Sequence, residues 1–412
     1  MTKSKINRLG KKIRKDLREG KNLEETDLFE LQDYRTSFKE DISPVFNLIS
    51  SISRTERKDS IVSFRIKRIE SILSKIKREP TMALGNMGDI AGCRVILYTE
   101  RALKNLIEII QSKFIIKNFN DYTINPKEDG YTGYHIYIES PINKNKTIEI
   151  QLRTIITHKW ASLVEIIDIL FNLKLKEGQK HPGLQKFLYL LSLPKDKLTI
   201  DDKKSIIDVD KEYDIYPLLN GVFIKNHISI RKSWIKLSET IENYYFIIEV
   251  DENKKSNIIS INNYKDAEEE YFKMFRTETP SNFVLAYIER PNFKKICVAY
   301  ASYMMVKHDY LNDWSNFVKD IIDYDLMNKK KESFNLYKDY FKRNLNNQVE
   351  LISNEIKEVK QHIDNNGGNQ SFGVREWLNE LKDRNTICVK FTEEVQELKK
   401  SQEKGLWNKI FG

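Results

Sequence analysis

The residues of this chain that could carry out chemistry are concentrated between positions 65 and 160. Lys67, Ser71 and Lys75 are spaced four positions apart, so on a helix they would share one face. Arg65 lies slightly offset from that face. Cations arranged in this way can bind the phosphates of a triphosphate. A solvated basic helix face has the same pattern, and this group alone does not separate the two interpretations.

Two acidic residues stand at predicted strands. Asp89 precedes a buried apolar strand in the motif DIAGCR, which ends at Arg94, and Glu149 lies in the alternating segment TIEIQLRT. On a strand, Glu149 shares a face with Gln151 and Arg153, whereas the apolar residues between them face the other way. Two carboxylates are sufficient to hold a magnesium ion together with phosphate oxygens. Taken separately, the two motifs also fit an ordinary turn before a strand and a solvent-facing strand.

A loop rich in proline and glycine lies between these two motifs. Its sequence is NPKEDGYTGYH, and it presents Lys127, Tyr131 and His135. An exposed tyrosine that follows a glycine can stack on a purine base. The loop is therefore predicted to contact a nucleotide through an exposed Tyr131 ring.

The order and spacing of these groups resemble the signature of the RelA/SpoT synthetase domain. That signature reads as R-x-K with a downstream lysine, then DIAGxR, then a PKxxGYxSxH loop, then an E-x-Q-x-R-T strand. The resemblance covers about residues 40–175. It implies a pyrophosphokinase that uses Mg²⁺ and transfers the β,γ-pyrophosphate of ATP to a ribose 3′-hydroxyl. Such a transfer depends more on neutralising phosphate charge than on covalent catalysis.

The resemblance also implies a role for each matching residue. Asp89 and Glu149 would hold Mg²⁺, and Glu149 would also take the proton from the acceptor hydroxyl. Tyr131 would stack on the base of the acceptor. The implied ATP-binding residues are Arg65, Lys67, Ser71, Lys75 and Arg94. The other implied acceptor-binding residues are Lys127, His135, Gln151 and Arg153.

Three departures from the family pattern concern the acceptor more than the ATP half of the site. Asp129 stands where the family usually has asparagine, Gly133 stands where it usually has serine, and Val164 interrupts a helix that usually reads WASLEH. The negative charge of Asp129 disfavours a phosphate at that position. This change favours an acceptor other than plain GDP or GTP.

Apolar periodicity supplies the elements that must position these residues. Helical spacing predicts helices over residues 25–57 and 60–78, and alternation predicts strands at 93–98, 135–140 and 147–154. The predicted fold class is α+β, with a RelA/SpoT synthetase (nucleotidyltransferase-like) mixed sheet flanked by helices. A small α/β regulatory domain and a helical C-terminal extension are predicted to follow it.

Changes in pattern and composition predict five segments. They are a basic N-terminal segment (1–24), the pyrophosphokinase domain (25–180), a helical connector (181–243), a small α/β antitoxin-like regulatory domain (244–310) and a helical C-terminal extension (311–412). Two interpretations of the basic N-terminal segment are open: a solvated tail, or an arm that contacts phosphates.

The segment 244–310 resembles the C-terminal domain of CapRel-type proteins, in which a toxic synthetase is fused to its own antitoxin-like sensor. The matching features are a strand pair, an acidic helix, the strand FVLAYIE and the pair Tyr300 and Tyr303. The resemblance implies that these tyrosines cover the ATP pocket and keep the enzyme inactive. Simple packing of two neighbouring tyrosines on a helix is the alternative.

Composition sets the broad class of the protein. The 412 residues carry a net charge of +9, which favours polyanionic partners such as nucleotides, nucleic acid or an anionic membrane. The three cysteines (Cys93, Cys297 and Cys388) form no CxxC pair, which argues against a disulfide scaffold or a thiolate zinc site and favours the cytoplasm. No apolar run approaches the ~20 residues that span a bilayer. No membrane association is therefore predicted.

Three functions remain open at this point. The first is a self-inhibited toxin in anti-phage defence that pyrophosphorylates the 3′ end of tRNA, with a phage protein as its trigger at the C-terminal half. The second is a (p)ppGpp (alarmone) synthetase that acts on GDP or GTP in the stringent response. The third is a catalytically silent binding module, against which the intact Asp89, Tyr131 and Glu149 argue. No histidine precedes His135, so alarmone hydrolysis is not expected.

Overall fold

The architecture is described by a computed structural model. The described residues are 1–56, 60–127, 130–173, 175, 179–237, 244–250, 256–276, 282–299, 310–368 and 370–410. They form two compact units. The sheet unit comprises Met1–Ala161 and Glu242–Tyr300, and the helical unit comprises Ser162–Ile241 and Ala301–Gly412.

The described chain contains both helices and strands. The helices are α1 (Lys3–Arg18), α2 (Glu25–Thr36), α3 (Lys39–Glu56), α4 (Ile69–Arg78), α5 (Glu100–Lys113), α6 (Ile155–Phe171), α7 (Pro182–Ser192), α8 (Ile200–Tyr213), α9 (Ile215–Leu237), α10 (Tyr264–Arg276), α11 (Phe293–Ala299), α12 (Tyr310–Met327), α13 (Lys331–Asn365) and α14 (Phe372–Ile410). The strands are β1 (Ile61–Ile66), β2 (Ala91–Leu97), β3 (Ile116–Asp121), β4 (Tyr134–Glu139), β5 (Thr147–Thr154), β6 (Tyr245–Val250), β7 (Ser256–Ile261) and β8 (Asn282–Ile288). None of the described helices is both long and apolar enough to cross a membrane.

The eight described strands form one mixed sheet in the order β3-β4-β5-β2-β1-β8-β6-β7. β2 and β5 run parallel, and every other neighbouring pair is antiparallel. The predicted α+β class with a mixed sheet flanked by helices is confirmed. The parallel pair lies in the interior of the sheet, where both faces can be covered.

The segment 244–310 does not form a sheet of its own. β8 pairs with β1 from Ile61–Ile288 to Phe64–Leu285, so β6, β7 and β8 continue the sheet that contains β2 and β5. The prediction of a separate α/β domain is therefore wrong for the described part of this segment. Alternation within a strand identifies the strand and its buried face, but the strand with which it pairs is a long-range choice.

The basic N-terminal segment is a packed helix. Ile6, Leu9 and Ile13 on α1 are buried, and the Asn7 side chain accepts a hydrogen bond from the Gly85 amide at 2.9 Å. The solvated tail is not found, and contact of this helix with phosphates stays a prediction. The apolar residues recur at the three- and four-residue spacing of an amphipathic helix, but the basic composition between them obscures this pattern.

Residues 60–78 contain a strand and a helix rather than one helix. Ile61, Val62, Phe64 and Ile66 are all buried on β1, and α4 begins only at Ile69. A central strand that is covered on both faces has a nearly continuous apolar run, which resembles a buried helix. β3 was not predicted, because its edge position leaves most of its residues exposed and its pattern polar.

The helical unit is held together partly by buried polar groups. Glu355 in α13 is fully buried. Its carboxylate lies close to three groups: His227 Nδ1 of α9 at 2.5 Å, and Trp377 Nε1 at 2.8 Å and Arg384 Nη1 at 2.7 Å of α14. Because a buried carboxylate is costly without partners, this cluster fixes the three helices against one another.

A second buried carboxylate belongs to Asp210 in α8. It accepts hydrogen bonds from the Trp314 indole at 2.8 Å, the Tyr340 hydroxyl at 2.6 Å and the Tyr216 amide at 2.7 Å. Burial raises the pKa of Asp210 from 3.8 to about 6, although the hydrogen bonds act in the opposite direction. Protonation of this carboxyl is therefore easier in the folded state than in the unfolded state.

Asp210 predicts a pH dependence of stability. The pKa of Asp210 is higher in the folded state than in the unfolded state. Its protonated carboxyl therefore contributes fully to the free energy of unfolding below pH 3.8, and this contribution is lost as the pH rises through about 6. Relative to Asp210→Asn, the wild-type chain should lose up to about 1.4 kcal/mol of unfolding free energy per pH unit in this window. Urea unfolding of both chains over this range measures the difference. If the difference in unfolding free energy between the two chains did not change with pH, the raised pKa of Asp210 would be contradicted.

Replacement of a helical glycine by alanine should have opposite effects on stability at Gly10 in α1 and at Gly221 in α9. A Cβ at Gly10 would lie 2.6 Å from the Cβ of Leu84, so Gly10→Ala should destabilise the fold by about 1–3 kcal/mol. A Cβ at Gly221 in α9 would meet nothing within 4 Å, and Gly221→Ala should stabilise by up to about 1 kcal/mol. Urea unfolding measures both. A neutral Gly10→Ala would show that α1 does not pack as described.

Candidate active site

The strand register brings the polar residues of four strands to one face of the sheet. The first row consists of Arg65 on β1, Gly92 on β2, Glu149 on β5 and Tyr137 on β4. The second row consists of Ser63, Arg94, Gln151 and His135, with Asn120 of β3 after them. Residues that pair across neighbouring strands point to the same side. The motifs that are far apart in sequence therefore meet on this face.

Gly92 leaves open space beside Glu149 in the first row. A Cβ at this position would lie 3.2 Å from the backbone oxygen of Glu149 and 3.7 Å from its Oε2. Glycine therefore allows close approach to the carboxylate from the side of β2.

Asp89 lies just before β2 and binds two lysines. Its Oδ2 is 2.9 Å from Lys67 Nζ and 3.1 Å from Lys75 Nζ. Its other oxygen, Oδ1, is buried and accepts no hydrogen bond from the part of the chain that the structure describes. A buried carboxylate oxygen without a donor is unusual in a folded protein and marks a place for a further ligand.

Glu149 is held by three donors. His135 Nδ1 lies 2.9 Å from Oε1, the Tyr137 hydroxyl donates to Oε1 at 2.9 Å, and Gln151 Nε2 donates to Oε2 at 2.8 Å. Burial of the side chain raises the pKa of Glu149, but the hydrogen bonds from these donors outweigh it and hold the pKa well below its ordinary value. The side chain is therefore a carboxylate at neutral pH.

The Tyr137 phenol donates to Glu149 and lies in the electrostatic field of both carboxylates. Burial raises the pKa of this phenol, and the negative charges of Glu149 and Asp89 raise it further, so both acids act on the same hydroxyl. The sequence analysis missed this residue. The alternation His135-Ile-Tyr137-Ile138 could have identified it, because it places Tyr137 on the same face as His135.

The two carboxylates fit a divalent cation. Asp89 Oδ1 lacks a donor, and Glu149 Oε2 accepts only the Gln151 hydrogen bond among the described residues. The described residues contain no cluster of three or more histidine, cysteine or acidic ligands. Two carboxylates with the remaining positions filled by phosphate oxygens and water are typical of Mg²⁺ rather than of a metal held by protein alone.

Gln151 connects Arg94 of the second row with Arg153, which lies two residues further along β5. Its Oε1 accepts from Arg94 Nε at 3.3 Å and from Arg153 Nη2 at 3.4 Å. Lys75 and Ser71 lie one turn apart on α4, whereas Arg65 lies on β1 and Lys67 in the connection between them. The predicted single helical face is therefore not found for the whole cationic group.

Tyr131 is buried rather than exposed. Its side chain is 8% exposed, and its hydroxyl lies 2.6 Å from His135 Nε2 and accepts from Arg153 Nε at 3.2 Å. The prediction of an exposed ring is wrong, because the loop turns inward over the sheet at Gly130 (φ +89°) and Gly133 (φ +144°). Its role in stacking on a base stays a prediction.

Gly133 is the family departure that permits this conformation. A Cβ at Gly133 would lie 3.1 Å from the Tyr131 hydroxyl and 3.3 Å from the Leu152 backbone oxygen. A serine at this position would strain the backbone and crowd the tyrosine. The inward position of Tyr131 therefore depends on this glycine.

Lys127 lies over two rings of the same loop. Its ammonium group is 4.9 Å from the centroid of Tyr122 and 5.2 Å from that of Tyr131. Cation–π attraction stabilises this arrangement. Tyr122 was not predicted from the sequence, because it stands just before the recognised loop motif. Asp129 lies outside the described residues.

The predicted site residues of the C-terminal half cannot be located in the same way. Tyr300 and Tyr303 lie outside the described residues. The proposed cover over the ATP pocket therefore stays a prediction from sequence.

Comparison with known proteins finds one matching family model and several similar proteins. Residues 64–167 match the family model described as "Region found in RelA / SpoT proteins". The chain is 33% identical over 134 residues to the GTP pyrophosphokinase YwaC of Bacillus subtilis, covering 30% of this chain and 62% of that protein. It is 28% identical over 128 residues to the GTP pyrophosphokinase YjbM of the same organism, covering 29% and 61%.

The sequence matches to these two relatives cover part of each protein. The chain spans about three fifths of their length, 62% and 61%. The solved small alarmone synthetase 2 of Bacillus subtilis is 26% identical, with a TM-score of 0.34 and coverage of 45% of this chain and 99% of that one. The match to the RelA/SpoT family model is confined to residues 64–167 of the 412.

Proposed function

We propose that this protein is an ATP-dependent pyrophosphokinase that transfers the β,γ-pyrophosphate of ATP to a ribose 3′-hydroxyl. The observation that carries the proposal is the pair of carboxylates, Glu149 bonded to the Tyr137 phenol and Asp89 bonded to Lys67 and Lys75, both of which act electrostatically on that phenol. Carboxylates next to lysines fit a magnesium-bound triphosphate. The names of the relatives, GTP pyrophosphokinases, support the same reaction type.

The reaction exchanges one phosphorus–oxygen bond for another. The acceptor 3′-oxygen attacks the β-phosphorus of ATP, the bond from that phosphorus to the α,β-bridging oxygen breaks, and AMP leaves. Lys67 and Lys75 neutralise charge on the phosphates, and Arg65 and Arg94 bind the nucleotide on the same face. The acceptor proton passes to a base, for which Glu149 is the proposed residue because it is an ionised carboxylate on the site face.

Asp89 and Glu149 are the proposed Mg²⁺ ligands. Asp89 would contribute its buried Oδ1, and Glu149 would contribute Oε2 on the open side above Gly92. When bound, Mg²⁺ supplies charge neutralisation and orientation of the phosphates. The two lysines on the opposite oxygen of Asp89 hold this carboxylate in place before the nucleotide arrives.

GDP or GTP is the acceptor that the relatives' names favour, and the product would then be (p)ppGpp. The 3′ end of tRNA is the second candidate. Two observations favour it: the net charge of +9, and the altered acceptor loop, in which Gly133 allows Tyr131 to fold inward. The proposed acceptor-binding residues are the same for both acceptors, namely Lys127, Tyr131, His135, Gln151 and Arg153.

A labelling experiment tests the reaction and separates the acceptors. The full chain is incubated with γ-labelled ATP and with GDP, GTP or bulk tRNA. Label on guanosine nucleotides supports an alarmone synthetase, and label on tRNA alone supports a tRNA-modifying enzyme. The full chain is necessary because a chain that ends near residue 240 lacks β8, which pairs with β1. No label on any acceptor, with both the unaltered chain and a variant that carries Tyr300→Ala and Tyr303→Ala, would favour the silent binding module.

Glu149→Gln should reduce the transfer at least a hundredfold, since removal of a general base typically costs a factor of about 10²–10⁴. Glu139→Gln is the matched control, because Glu139 lies on the neighbouring strand β4 and binds Lys117 at 3.4 Å instead of site residues. The rate of label transfer measures both variants. Normal turnover of Glu149→Gln would show that another group takes the proton.

We further propose that the C-terminal half restrains the enzyme through Tyr300 and Tyr303, as the CapRel resemblance implies. Replacement of both tyrosines by alanine should then increase toxicity when the chain is expressed in cells, because the ATP site would be uncovered. Growth curves with the double variant and the unaltered chain measure the effect. Unchanged growth would remove self-inhibition, and with it the toxin hypothesis and its phage-protein trigger.

A further inference from the structure

The turn from β1 to α4 is held in place by residues outside it. This turn carries Lys67, and Arg65 lies near the end of β1 just before it. The Lys67 amide donates to the Ile90 carbonyl at 2.8 Å, next to Asp89. From the other side, Arg35 Nε in α2 donates to the Lys67 carbonyl at 2.8 Å. Both backbone groups of Lys67 are thus fixed.

A third bond comes from the C-terminal part of the sheet unit. The β1–β8 pairing extends from Ile61 to Phe64, and the Ile66 amide lies beyond it. That amide donates to the hydroxyl of Tyr271 in α10 at 3.1 Å. The tyrosine therefore supplies the acceptor at the point where strand pairing stops, so that this buried amide is satisfied.

The Tyr271 side chain is rigidly placed. It is 1% exposed, and its ring contacts Phe64 and Phe283 edge to face with centroid distances of 4.9 Å each. Burial raises the pKa of Tyr271 to about 12, so the hydroxyl keeps its proton at neutral pH. Packed rings of this kind hold the hydroxyl in one position.

We propose that Tyr271 is a positioning residue for the nucleoside triphosphate half of the site. Its hydroxyl fixes the Ile66 amide and thereby sets the directions of the two neighbouring cations, Arg65 and Lys67. This inference rests on the proposed function. If Tyr271 has this role, α10 and β8 support nucleotide binding directly, although they lie far from β1 in the sequence.

Loss of the hydroxyl should affect nucleotide binding selectively. Tyr271→Phe preserves the ring and its packing, but it leaves the Ile66 amide without its acceptor. Loss of one such hydrogen bond corresponds to an effect of about fivefold on binding. The dissociation constant of a non-hydrolysable ATP analogue and the KM for ATP should therefore rise about fivefold. The KM for the acceptor should be unchanged, because its proposed residues lie on β4, β5 and the loop before them.

Tyr264→Phe is the matched control. Tyr264 lies on the same helix, but its hydroxyl bonds to Ser43 Oγ at 3.0 Å and Glu268 Oε1 at 2.8 Å instead of the β1–α4 turn. Both variants should lower the thermal unfolding temperature. Only Tyr271→Phe should weaken ATP binding and speed hydrogen exchange at the Ile66 amide.

The test uses the full chain, calorimetric titration with the ATP analogue, steady-state kinetics and hydrogen exchange. Arg35→Lys, which removes the Nε donor to the Lys67 carbonyl, should weaken ATP binding in the same selective way and provides a second variant. Wild-type ATP affinity in Tyr271→Phe, or an equal loss in Tyr264→Phe, would overturn the positioning role alone. Failure of the unaltered chain to bind the ATP analogue would overturn the proposed function and this role together.

Discussion

The parallel pairing of β2 with β5 is the constraint on which the site depends. It sets Gly92 beside Glu149 and Arg94 beside Gln151, and the antiparallel neighbours β1 and β4 then extend these two rows to both sides. Side chains alternate along a strand, so a shift of one residue in this register would turn Glu149 into the apolar core and bring isoleucines to the site face. Ile148, Ile150 and Leu152 are fully buried on the opposite face, and their burial is what fixes the register. The geometry of the carboxylates is therefore a consequence of core packing.

The two acids are stabilised by different means. Asp89 shares one oxygen between two lysines, whereas Glu149 is buried next to His135 and accepts hydrogen bonds from Tyr137 and Gln151. A buried charge needs such partners, because desolvation would otherwise neutralise it. Both carboxylates are thus oriented by their partners in the absence of ligand. Preorganisation of this kind reduces the rearrangement needed when charged phosphates bind.

Local patterns were sufficient for the part of the site that lies on β5. The alternation in TIEIQLRT placed Glu149, Gln151 and Arg153 on one face, which the register bears out. Patterns could not show that β8 pairs with β1, because pairing partners are chosen over long distances in sequence. Sequence patterns also could not predict the burial of Tyr131. This burial depends on the backbone angles at Gly130 and Gly133, and a glycine allows such angles without requiring them. The continuous apolar run of β1 was misassigned as a helix because burial on both faces removes the alternation.

The sheet unit is assembled from two stretches of chain, Met1–Ala161 and Glu242–Tyr300, with helices of the other unit encoded between them. Synthesis on the ribosome proceeds from the N-terminus, so β1 is made long before β8. Until β8 emerges, the nascent chain presents one unpaired edge of β1 next to exposed apolar side chains, which is a risk for aggregation. This high contact order also slows folding. The same delay means that a ribosome-bound chain without β8 lacks a complete sheet around Arg65, so the nucleotide site can form only late in translation.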